Sequence, residues 1–336
     1  MCGISEPIKY GHDAIVAQNT FDFAVGHVVS WVGGHWIFTA RRAQRQSREV
    51  TVTLYFFDTH AHIQRSRSGR CPDVRNLLLR ARQTGVRAVL APAVDHADWD
   101  TLAKITPPRG LNLYVAWGLH PYFVCEVTPS ESATIVEELY DRVTSATSEL
   151  RTRLRAIGEC GLDFARAQSP EVRAHQVRVF RAQIDLARAT GLPMSIHCVR
   201  ASGPLLELLR ERPTPPAVMH AFSGSAQTAL SLVAAGHYIS FAANVCVPGA
   251  RKVIEAARAV PDDRLLLETD SPDQTPPSRR PAPNEPAFII DVARRLAELR
   301  GAELEAIATL TRDNARRVFG VEEPLALHEF DDDDQP

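Results

Sequence analysis

Residues 54–64, LYFFDTHAHIQ, form an apolar run that ends in an acid and two histidines two positions apart. Side chains two positions apart on an extended chain point to the same side, so His60 and His62 can face one ligand. In a chain with 12 histidines among 336 residues, a single His-x-His pair also arises by chance and is weak on its own. Its meaning therefore depends on whether other residues complete a site around Asp58, His60 and His62.

From residue 53 onward, short apolar runs alternate with longer amphipathic segments. The runs are TLYFFD, VRAVLAPA, LYVAWGLH, LRAIGECG, PMSIHC, PAVMHAF, HYISFAAN and RLLLETD. Helical patterns such as EVRAHQVRVFRAQIDLARATG lie between them, and several end in glycine, which commonly follows the last turn of a helix. This alternation is typical of a parallel sheet covered by helices, and eight strands over this length predict a (β/α)8 TIM barrel. A doubly wound sheet is the alternative, although the Gly-x-Gly-x-x-Gly turn of such sheets does not follow the first strand.

Two flanking segments differ from this pattern, so we divide the chain into residues 1–52, 53–320 and 321–336. The first segment shows no clear helical or strand period, and we predict an irregular, poorly ordered extension. The last segment ends in DDDDQP and is predicted to be a disordered acidic tail. The barrel is expected to occupy the segment between them.

The composition, with 45% hydrophobic and 23% charged residues, is that of a soluble globular protein. A net charge of −2 argues against a protein that coats nucleic acid with bulk positive charge. It does not exclude a nuclease, because metal ions can supply positive charge locally. Six scattered cysteines without a Cys-x-x-Cys pair indicate reduced thiols. Since neither a membrane-spanning run nor a secretory signal is evident, we expect a cytoplasmic protein with no membrane contact and no obligate protein partner.

Ionisable residues follow almost every predicted strand. The C-terminal ends of the strands of a TIM barrel converge on the face that carries the active site. The residues at these ends are Asp58, His60, His62, His120, Glu159, His197, His220 and Asp270. Without Asp58 and His120, they provide four imidazoles and two carboxylates, a set that suits two divalent metal ions. A lone histidine at a strand end is usually packed or hydrogen-bonded, but burying six ionisable groups is costly unless they are paired or bind metal.

Seven motifs give the chain a family resemblance. FFDTHAHI, GLHP, IGECGLDF, SIHCVRA, MHAFSGS, LLLETDSPD and PNEP resemble, in this order, the motifs of the TatD family of metal-dependent deoxyribonucleases and hydrolases. The resemblance covers roughly residues 53–320 and is much more specific than the His-x-His pair. It implies an amidohydrolase-like barrel with two divalent ions (Mg, Mn or Zn). The implied ligands are His60, His62 and Asp270 for one ion, His197 and His220 for the other, and Glu159 bridging both.

The chemistry of such a site agrees with phosphoryl transfer. A bridging carboxylate holds two cations about 3.5–4 Å apart, which suits the attacking and leaving oxygens of this reaction. The pKa of a water bound between them falls toward about 7, so that it provides an activated hydroxide. The free oxygen of Asp270 can take a proton from this water, which predicts a catalytic role for Asp270. Asp58 is expected either to orient a ligand imidazole or to cap a helix or loop.

Two further residues are candidates for contact with the substrate. The resemblance places His120 of GLHP beside the substrate, where it would contact phosphate or protonate the leaving group; a histidine that only bonds its own loop is the alternative. Arg200 lies in SIHCVRA, and its guanidinium suits phosphate. Asp273 stands where many family members have a bulky apolar or aromatic residue, so the identity of the substrate is the less certain part of the resemblance.

Together these patterns predict a metal-dependent phosphodiesterase, a DNase that acts as an exonuclease on single-stranded DNA ends. A barrel mouth admits a flexible end more readily than the middle of a duplex. The same ligands would also serve a hydrolase of a small ester, amide or lactone, because an activated hydroxide attacks a carbonyl as well as a phosphorus. A catalytically inactive barrel that binds partners is the third possibility, and the complete ligand set argues against it.

Overall fold

The computed structural model describes residues 54–65 and 73–322 in full and, closer to the N-terminus, only the backbone of residues 20–22, 27–32 and 35–40. The chain divides into two compact units, residues 1–53 and 54–336. The predicted acidic tail lies almost wholly outside the described residues. Among the helices that are described, none is long and apolar enough to cross a membrane.

The described part of the N-terminal unit is an antiparallel sheet in the order β1-β2-β3. Its strands are β1 (Thr20–Asp22), β2 (His27–Val32) and β3 (His35–Ala40). The sequence analysis predicted an irregular extension here, whereas the described residues 20–22, 27–32 and 35–40 form strands. The missed signal is Gly33-Gly34, because two β-prone runs separated by a Gly-Gly pair are typical of a hairpin.

The second unit is an eight-stranded parallel sheet with all strands in sequence order, which confirms the predicted barrel. Its strands are β4 (Phe56–Asp58), β5 (Val86–Pro92), β6 (Asn112–Trp117), β7 (Leu154–Asp163), β8 (Met194–Val199), β9 (Ala217–Met219), β10 (Tyr238–Phe241) and β11 (Leu265–Leu267). Each overlaps one of the eight apolar runs, and β6, β7 and β8 extend one or two residues beyond theirs. β5 is buried along its whole length, as expected for a strand covered on both faces.

Helices connect successive strands and cover the outside of the sheet. They are α1 (Val74–Gln83), α2 (His96–Lys104), α3 (Pro121–Val124), α4 (Pro129–Thr144), α5 (Ser148–Arg153), α6 (Pro170–Thr190), α7 (Ser202–Glu211), α8 (Ala226–Ala234), α9 (Arg251–Ala259), α10 (Ile289–Arg300) and α11 (Leu304–Phe319). Short 3₁₀ turns occur at Ala243–Cys246, Asp262–Arg264, Pro277–Arg279 and Pro286–Phe288. α6 shows how sequence sets these bounds: Ser169 caps its start, and Gly191 ends it in a left-handed conformation.

Hydrogen bonds beyond the ends of β4 and β11 close the barrel. The backbone N–H of Asp270 donates to the carbonyl oxygen of His60 at 2.9 Å, and that of His62 donates to Ser271 at 2.7 Å. Ala61 and Ser271 form an isolated parallel bridge between the same two segments. The closure therefore brings the His-x-His segment against the segment that carries Asp270.

The barrel interior separates a hydrophobic core from a polar end. One core cluster takes buried side chains from seven of the eight strands and from α11. On three strands the core residue comes before the predicted ligand: Phe57 before His60, Ala156 before Glu159, and Val218 before His220. The ionisable residues therefore lie at the C-terminal ends of the strands, as predicted for a TIM barrel.

Candidate metal centre

The structure brings all six predicted metal ligands together around the carboxylate of Glu159. Oε2 of Glu159 lies 3.1 Å from Nε2 of His60 and 3.1 Å from Nε2 of His62. Oε1 lies 3.0 Å from Nδ1 of His197 and 2.8 Å from Nε2 of His220. The two oxygens therefore face two different pairs of imidazoles, one at the end of β4 and one at the ends of β8 and β9.

Glycine at position 161 allows the close approach of β7 and β8 on which this cluster depends. Gly161 has a φ of +134°, and a Cβ atom there would lie 2.1 Å from the carbonyl oxygen of His197. No other residue fits this conformation and this space without moving a strand. The glycine thus lets Glu159 and His197 occupy adjacent strands at hydrogen-bonding distance.

Asp270 completes the side of the cluster that contains His60 and His62. Its Oδ1 lies 3.9 Å from Nε2 of His60, and its Oδ2 accepts a 2.6 Å hydrogen bond from the amide of Gln274. Ligand atoms of His60, His62 and Asp270 lie within 4.8 Å of one another, as do those of His120, Glu159 and His197. Burial raises the pKa of Asp270, although the nearby imidazoles of His220, His60 and His62 oppose this effect.

The imidazole nitrogens that point away from the centre are also held in place. Nδ1 of His60 lies 3.1 Å from Oγ of Ser195, and Nδ1 of His62 lies 3.2 Å from the carbonyl oxygen of Pro92. On the opposite side the neighbours are carboxylates. Nε2 of His197 lies 3.1 Å from Oδ2 of Asp163, and Nδ1 of His220 lies 3.4 Å from Oε1 of Glu268. Such outer partners fix the orientation and tautomer of a metal-binding imidazole.

These partners leave unprotonated nitrogens facing the centre. The carbonyl of Pro92 can only accept, so the proton of neutral His62 is on Nδ1 and the lone pair of Nε2 points at Glu159. The carboxylate of Asp163 has the same consequence for neutral His197, because it accepts from Nε2 at 3.1 Å and leaves the lone pair of Nδ1 facing Glu159. Nδ1 of His197 and Nε2 of His220 lie only 3.2 Å apart. Lone pairs and a carboxylate at such distances repel one another unless cations lie among them, so the residues fit a metal centre.

The ionisation of these groups reflects the same crowding. Burial alone would raise the pKa of Glu159, but the surrounding imidazoles of His120, His220 and His60 hold this pKa well below its usual value. Burial would lower the pKa of His220, but the adjacent Glu159 raises it well above the ordinary histidine value. The cluster therefore contains a fixed negative charge that attracts cations.

His120 differs from the other imidazoles of the cluster. Its Nδ1 accepts a 2.9 Å hydrogen bond from the backbone N–H of Tyr122, so the proton of the neutral ring is on Nε2. Nε2 lies 3.1 Å from Oε1 of Glu159. Burial lowers the pKa of His120 to about 4, so the ring is neutral near pH 7. His120 therefore presents an N–H donor to the centre. Neutral His62, in contrast, presents a lone pair.

Asp58 follows the second of the two alternatives left open by the sequence, because it caps loop backbone and bonds to no ligand imidazole among the described residues. Its carboxylate accepts hydrogen bonds from the backbone N–H of Thr269 at 3.0 Å and from the Thr269 hydroxyl at 2.6 Å. It also accepts from the backbone N–H of His60 at 3.3 Å. Asp58 thus fixes the backbone where the barrel closes, and burial is the main cause that raises its pKa to about 8.

Arg200 is not part of the ligand cluster but lines a cavity that adjoins it. Its side chain is exposed, and its backbone has a φ of +53°. Arg200 lines a cavity of about 530 Å³ that also includes His220. Asp273, which the motif comparison singled out, is exposed beside the same mouth segment as Gln274.

The sequence analysis missed four residues that contact the ligands: Ser195, Asp163, Glu268 and Gln274. Sequence spacing could have indicated two of them, because Asp163 lies four positions after Glu159 and Glu268 lies two positions before Asp270. Residues at even spacing on a strand point to one face. Ser195 and Gln274 are ordinary polar residues, and only the folded geometry connects them to the site.

Comparison with known proteins gives consistent matches. Residues 57–320 match the family model described as TatD related DNase. The uncharacterized metal-dependent hydrolase YabD of Bacillus subtilis is 32% identical over 268 residues, which cover 79% of this chain and 99% of YabD. The 3'-5' ssDNA/RNA exonuclease TatD of Erwinia amylovora is 32% identical over 259 residues, covering 74% of this chain and 94% of that protein.

A solved structure agrees with these sequence matches. The crystal structure of YJJV, a TatD homolog from Escherichia coli K12, has a TM-score of 0.71 and 28% sequence identity. The match covers 81% of this chain and all of that chain (100%). It confirms the amidohydrolase-like barrel that the motifs predicted.

Proposed function

The chain belongs to the TatD family of metal-dependent hydrolases, and on this basis we propose that it hydrolyses phosphodiester bonds of DNA, as an exonuclease acting on single-stranded ends. The observation that carries the proposal is the position of the Glu159 carboxylate: Oε2 faces His60 and His62, whereas Oε1 faces His197 and His220 and also the N–H of His120. A carboxylate in this position is suited to bridge two cations. Paired cations are typical of enzymes that cleave phosphodiesters.

The donor set supports two ions. We propose that His60, His62 and Asp270 hold one, that His197 and His220 hold the other, and that Glu159 contributes one oxygen to each. Imidazole ligands favour Zn and related transition metals, whereas Mg prefers oxygen ligands. Of Mg, Mn and Zn, the histidine-rich set therefore favours Zn or Mn.

When bound, the two ions would neutralise charge on the phosphate oxygens and lower the pKa of a water molecule. Asp270 would accept the proton of that water. Burial raises its pKa, which makes it a stronger base than an exposed aspartate. The hydrogen bond from Gln274 to Oδ2 holds the carboxylate in one orientation. We therefore assign the role of proton acceptor to Asp270.

His120 and Arg200 are proposed to contact the substrate. The neutral His120 ring with its proton on Nε2 suits a hydrogen bond to a phosphate oxygen better than donation of a proton to a leaving group, because a neutral imidazole is a very weak acid. Arg200 is exposed at the same mouth and can pair with a phosphate of the strand. The ligand residues themselves are almost completely buried, with Glu159 only 1% exposed and Asp270 8%. Such a recessed centre supports a preference for a flexible single-stranded end.

We also propose that the protein is cytoplasmic. The four cysteines among the described residues, Cys125, Cys160, Cys198 and Cys246, are free thiols. Free thiols are common in reducing compartments, so this observation supports the cytoplasmic location that the sequence predicts.

An activity panel tests the proposed function. End-labelled single- and double-stranded oligodeoxynucleotides, an RNA oligonucleotide, a generic phosphodiester and a p-nitrophenyl carboxylic ester would be incubated with the protein loaded with Mg, Mn, Co or Zn. We expect stepwise shortening of single-stranded DNA from one end and little hydrolysis of the carboxylic ester. Hydrolysis of the ester without cleavage of any oligonucleotide would contradict the proposal and favour the small-molecule hydrolase.

Two substitutions connect the activity to the site. Asp270→Asn removes the proposed proton acceptor and should abolish cleavage. Asp263→Asn is the matched control, since Asp263 is exposed and precedes β11, whereas Asp270 follows it. Equal activity in both variants would assign the cleavage to another site or to a contaminant.

A further inference from the structure

A second cavity adjoins the metal-ligand cluster. It has a volume of about 530 Å³ and lies beyond the ends of β8 and β9. The residues that matter for its chemistry are Arg200, Ser202, His220, Ser223, Ser225 and Lys252. His220 belongs to both the cavity and the ligand cluster, so a group bound in the cavity lies next to the proposed reaction centre. We call this space the flanking cavity.

The charges around the flanking cavity have one sign. Arg200 and Lys252 are both exposed and both line it, and no aspartate or glutamate is among the described residues that do so. Neither cation has a carboxylate partner in the part of the chain that the structure describes. Two cations without a neutralising acid, in one concave space, favour an anionic ligand.

Arginines elsewhere at the mouth are different. Arg65 donates to Oδ2 of Asp98 at 2.8 Å, and Arg279 donates to Oδ2 of Asp291 at 2.8 Å. These ion pairs hold surface segments together and leave less positive charge for a ligand. Arg280 instead donates to the carbonyl oxygen of Thr275 at 3.4 Å. The flanking cavity thus differs from Arg65 and Arg279 in having cations without a carboxylate partner among the described residues.

Three helices begin at the flanking cavity and add to its positive potential. Ser202 is the first residue of α7, Ser225 caps the start of α8, and Lys252 is the second residue of α9. None of these helices has an acidic residue in its first turn, and the starts of α7 and α9 have no side-chain cap. Free N–H groups at a helix start favour anions, and here they act together with the two side-chain cations.

We propose that the flanking cavity binds the phosphate that neighbours the scissile phosphodiester, with Arg200 and Lys252 as its charged contacts. This inference rests on the proposed function, because it takes the substrate to be a nucleotide strand. The shared residue His220 places the two phosphates side by side. A substrate that has a second phosphate is then held at two points, whereas one with only the scissile phosphate is held at one.

A matched pair of substrates tests the cavity. Thymidylyl-thymidine has a single phosphate, and the same dinucleotide with an added 5′- or 3′-terminal phosphate has two. For the metal-loaded protein, we expect kcat/KM to be about tenfold higher for one of the two phosphorylated forms, as for one charge-assisted contact. In Lys252→Gln, the ratio of kcat/KM for this phosphorylated form to kcat/KM for the unphosphorylated dinucleotide should be close to one. In Lys252→Glu, the same ratio should be below one. Lys104→Gln, at an exposed lysine in the last turn of α2, should leave the ratio unchanged.

Binding gives a readout that does not depend on turnover. In the metal-loaded Asp270→Asn protein, the logarithm of the binding constant for a short single-stranded oligonucleotide is plotted against the logarithm of the salt concentration. Adding Lys252→Gln to this protein should remove one phosphate contact and so make the negative slope shallower by about 0.7. The metal content should be the same with and without that change.

The possible failures can be distinguished. If the wild-type protein cleaves no dinucleotide and no longer strand, both the proposed function and the cavity proposal fall. If it cleaves all the dinucleotides equally well, or if Lys252→Gln keeps both the tenfold ratio and the full salt slope, the proposed function stands and the cavity proposal is wrong.

Discussion

The two sides of the ligand cluster are built differently. On the β4 side, comprising His60 and His62, the outer nitrogens face a serine hydroxyl and a backbone carbonyl. On the β8–β9 side, comprising His197 and His220, they face the carboxylates of Asp163 and Glu268. A carboxylate behind an imidazole fixes its tautomer and makes the ring a stronger ligand. We therefore expect the β8–β9 side to retain its cation more tightly and the β4 side to exchange its cation more readily.

The largest effect is expected at Glu159, the one residue that both sides share. Glu159→Gln replaces the charged bridge with an amide whose N–H2 group would face imidazole lone pairs. Both ions should be lost, and kcat/KM for DNA should fall by more than the roughly 10–100-fold that outer partners cost. Elemental analysis of the purified variant and an oligonucleotide assay measure these effects. A variant that keeps both ions would show that the two sides do not depend on a common carboxylate.

Substitutions at Asp163, behind His197, and at Ser195, behind His60, allow a direct comparison of the two sides. In Asp163→Asn, the new amide can donate to Nε2 of His197, which places the imidazole proton on Nδ1, the nitrogen that faces Glu159. We expect about a 10–100-fold loss of metal affinity on the β8–β9 side. Ser195→Ala removes only a neutral partner of His60 and should cost a few-fold at most. Competition with a chelator, followed by metal analysis, measures both. Equal losses would contradict the proposed asymmetry.

Gln274 tests the proposed role of Asp270 as proton acceptor on the β4 side. Gln274→Ala removes the hydrogen bond to Oδ2 of Asp270, and we expect kcat to fall about tenfold while the metal content is unchanged. Because that bond stabilises the ionised carboxylate, its loss should also raise the pKa of Asp270 and move the acidic limb of the pH–rate profile to higher pH. Gln274→Asn is the conservative control: it keeps a side-chain amide at this position, and asparagine tolerates the positive φ found there. If the acidic limb stays in place in Gln274→Ala, Gln274 has no influence on the base.

His237 provides a reference with no expected effect on catalysis. It is 3% exposed, its Nδ1 accepts a 3.2 Å hydrogen bond from the backbone N–H of Ala217, and burial lowers its pKa to about 4. An unfolded chain takes up the proton near pH 6.5, so the folded protein loses stability as the pH falls from 6.5 toward 4. The loss should reach about 3 kcal/mol. Denaturant unfolding at pH 7 and pH 4.5 should show a smaller difference in His237→Asn than in the wild-type protein. An unchanged difference would mean that His237 is not the group that titrates.

Sequence could predict the features that follow from chain periodicity. The apolar runs located all eight strands, and the residues at their ends located the six clustered side chains. What it could not predict depends on contacts across the barrel. Asp58 bonds to Thr269, 211 positions away, and no local pattern indicates that partner. Gln274 reaches Asp270 through an irregular turn with a positive φ, which sequence spacing does not reveal. In the N-terminal unit, the hairpin signal of Gly33-Gly34 was present but was outweighed by the absence of a clear strand period.

The closure of the barrel has a consequence for the protein during its synthesis. The bonds that join His60 to Asp270 and His62 to Ser271 connect segments from opposite ends of the barrel sequence. A nascent chain therefore has no complete site until residue 271 has left the ribosome. A fragment released early would contain the His-x-His pair without the closing segment. Half-made copies therefore cannot assemble the ligand cluster, since the segment that carries Asp270 and Ser271 follows the last strand of the barrel.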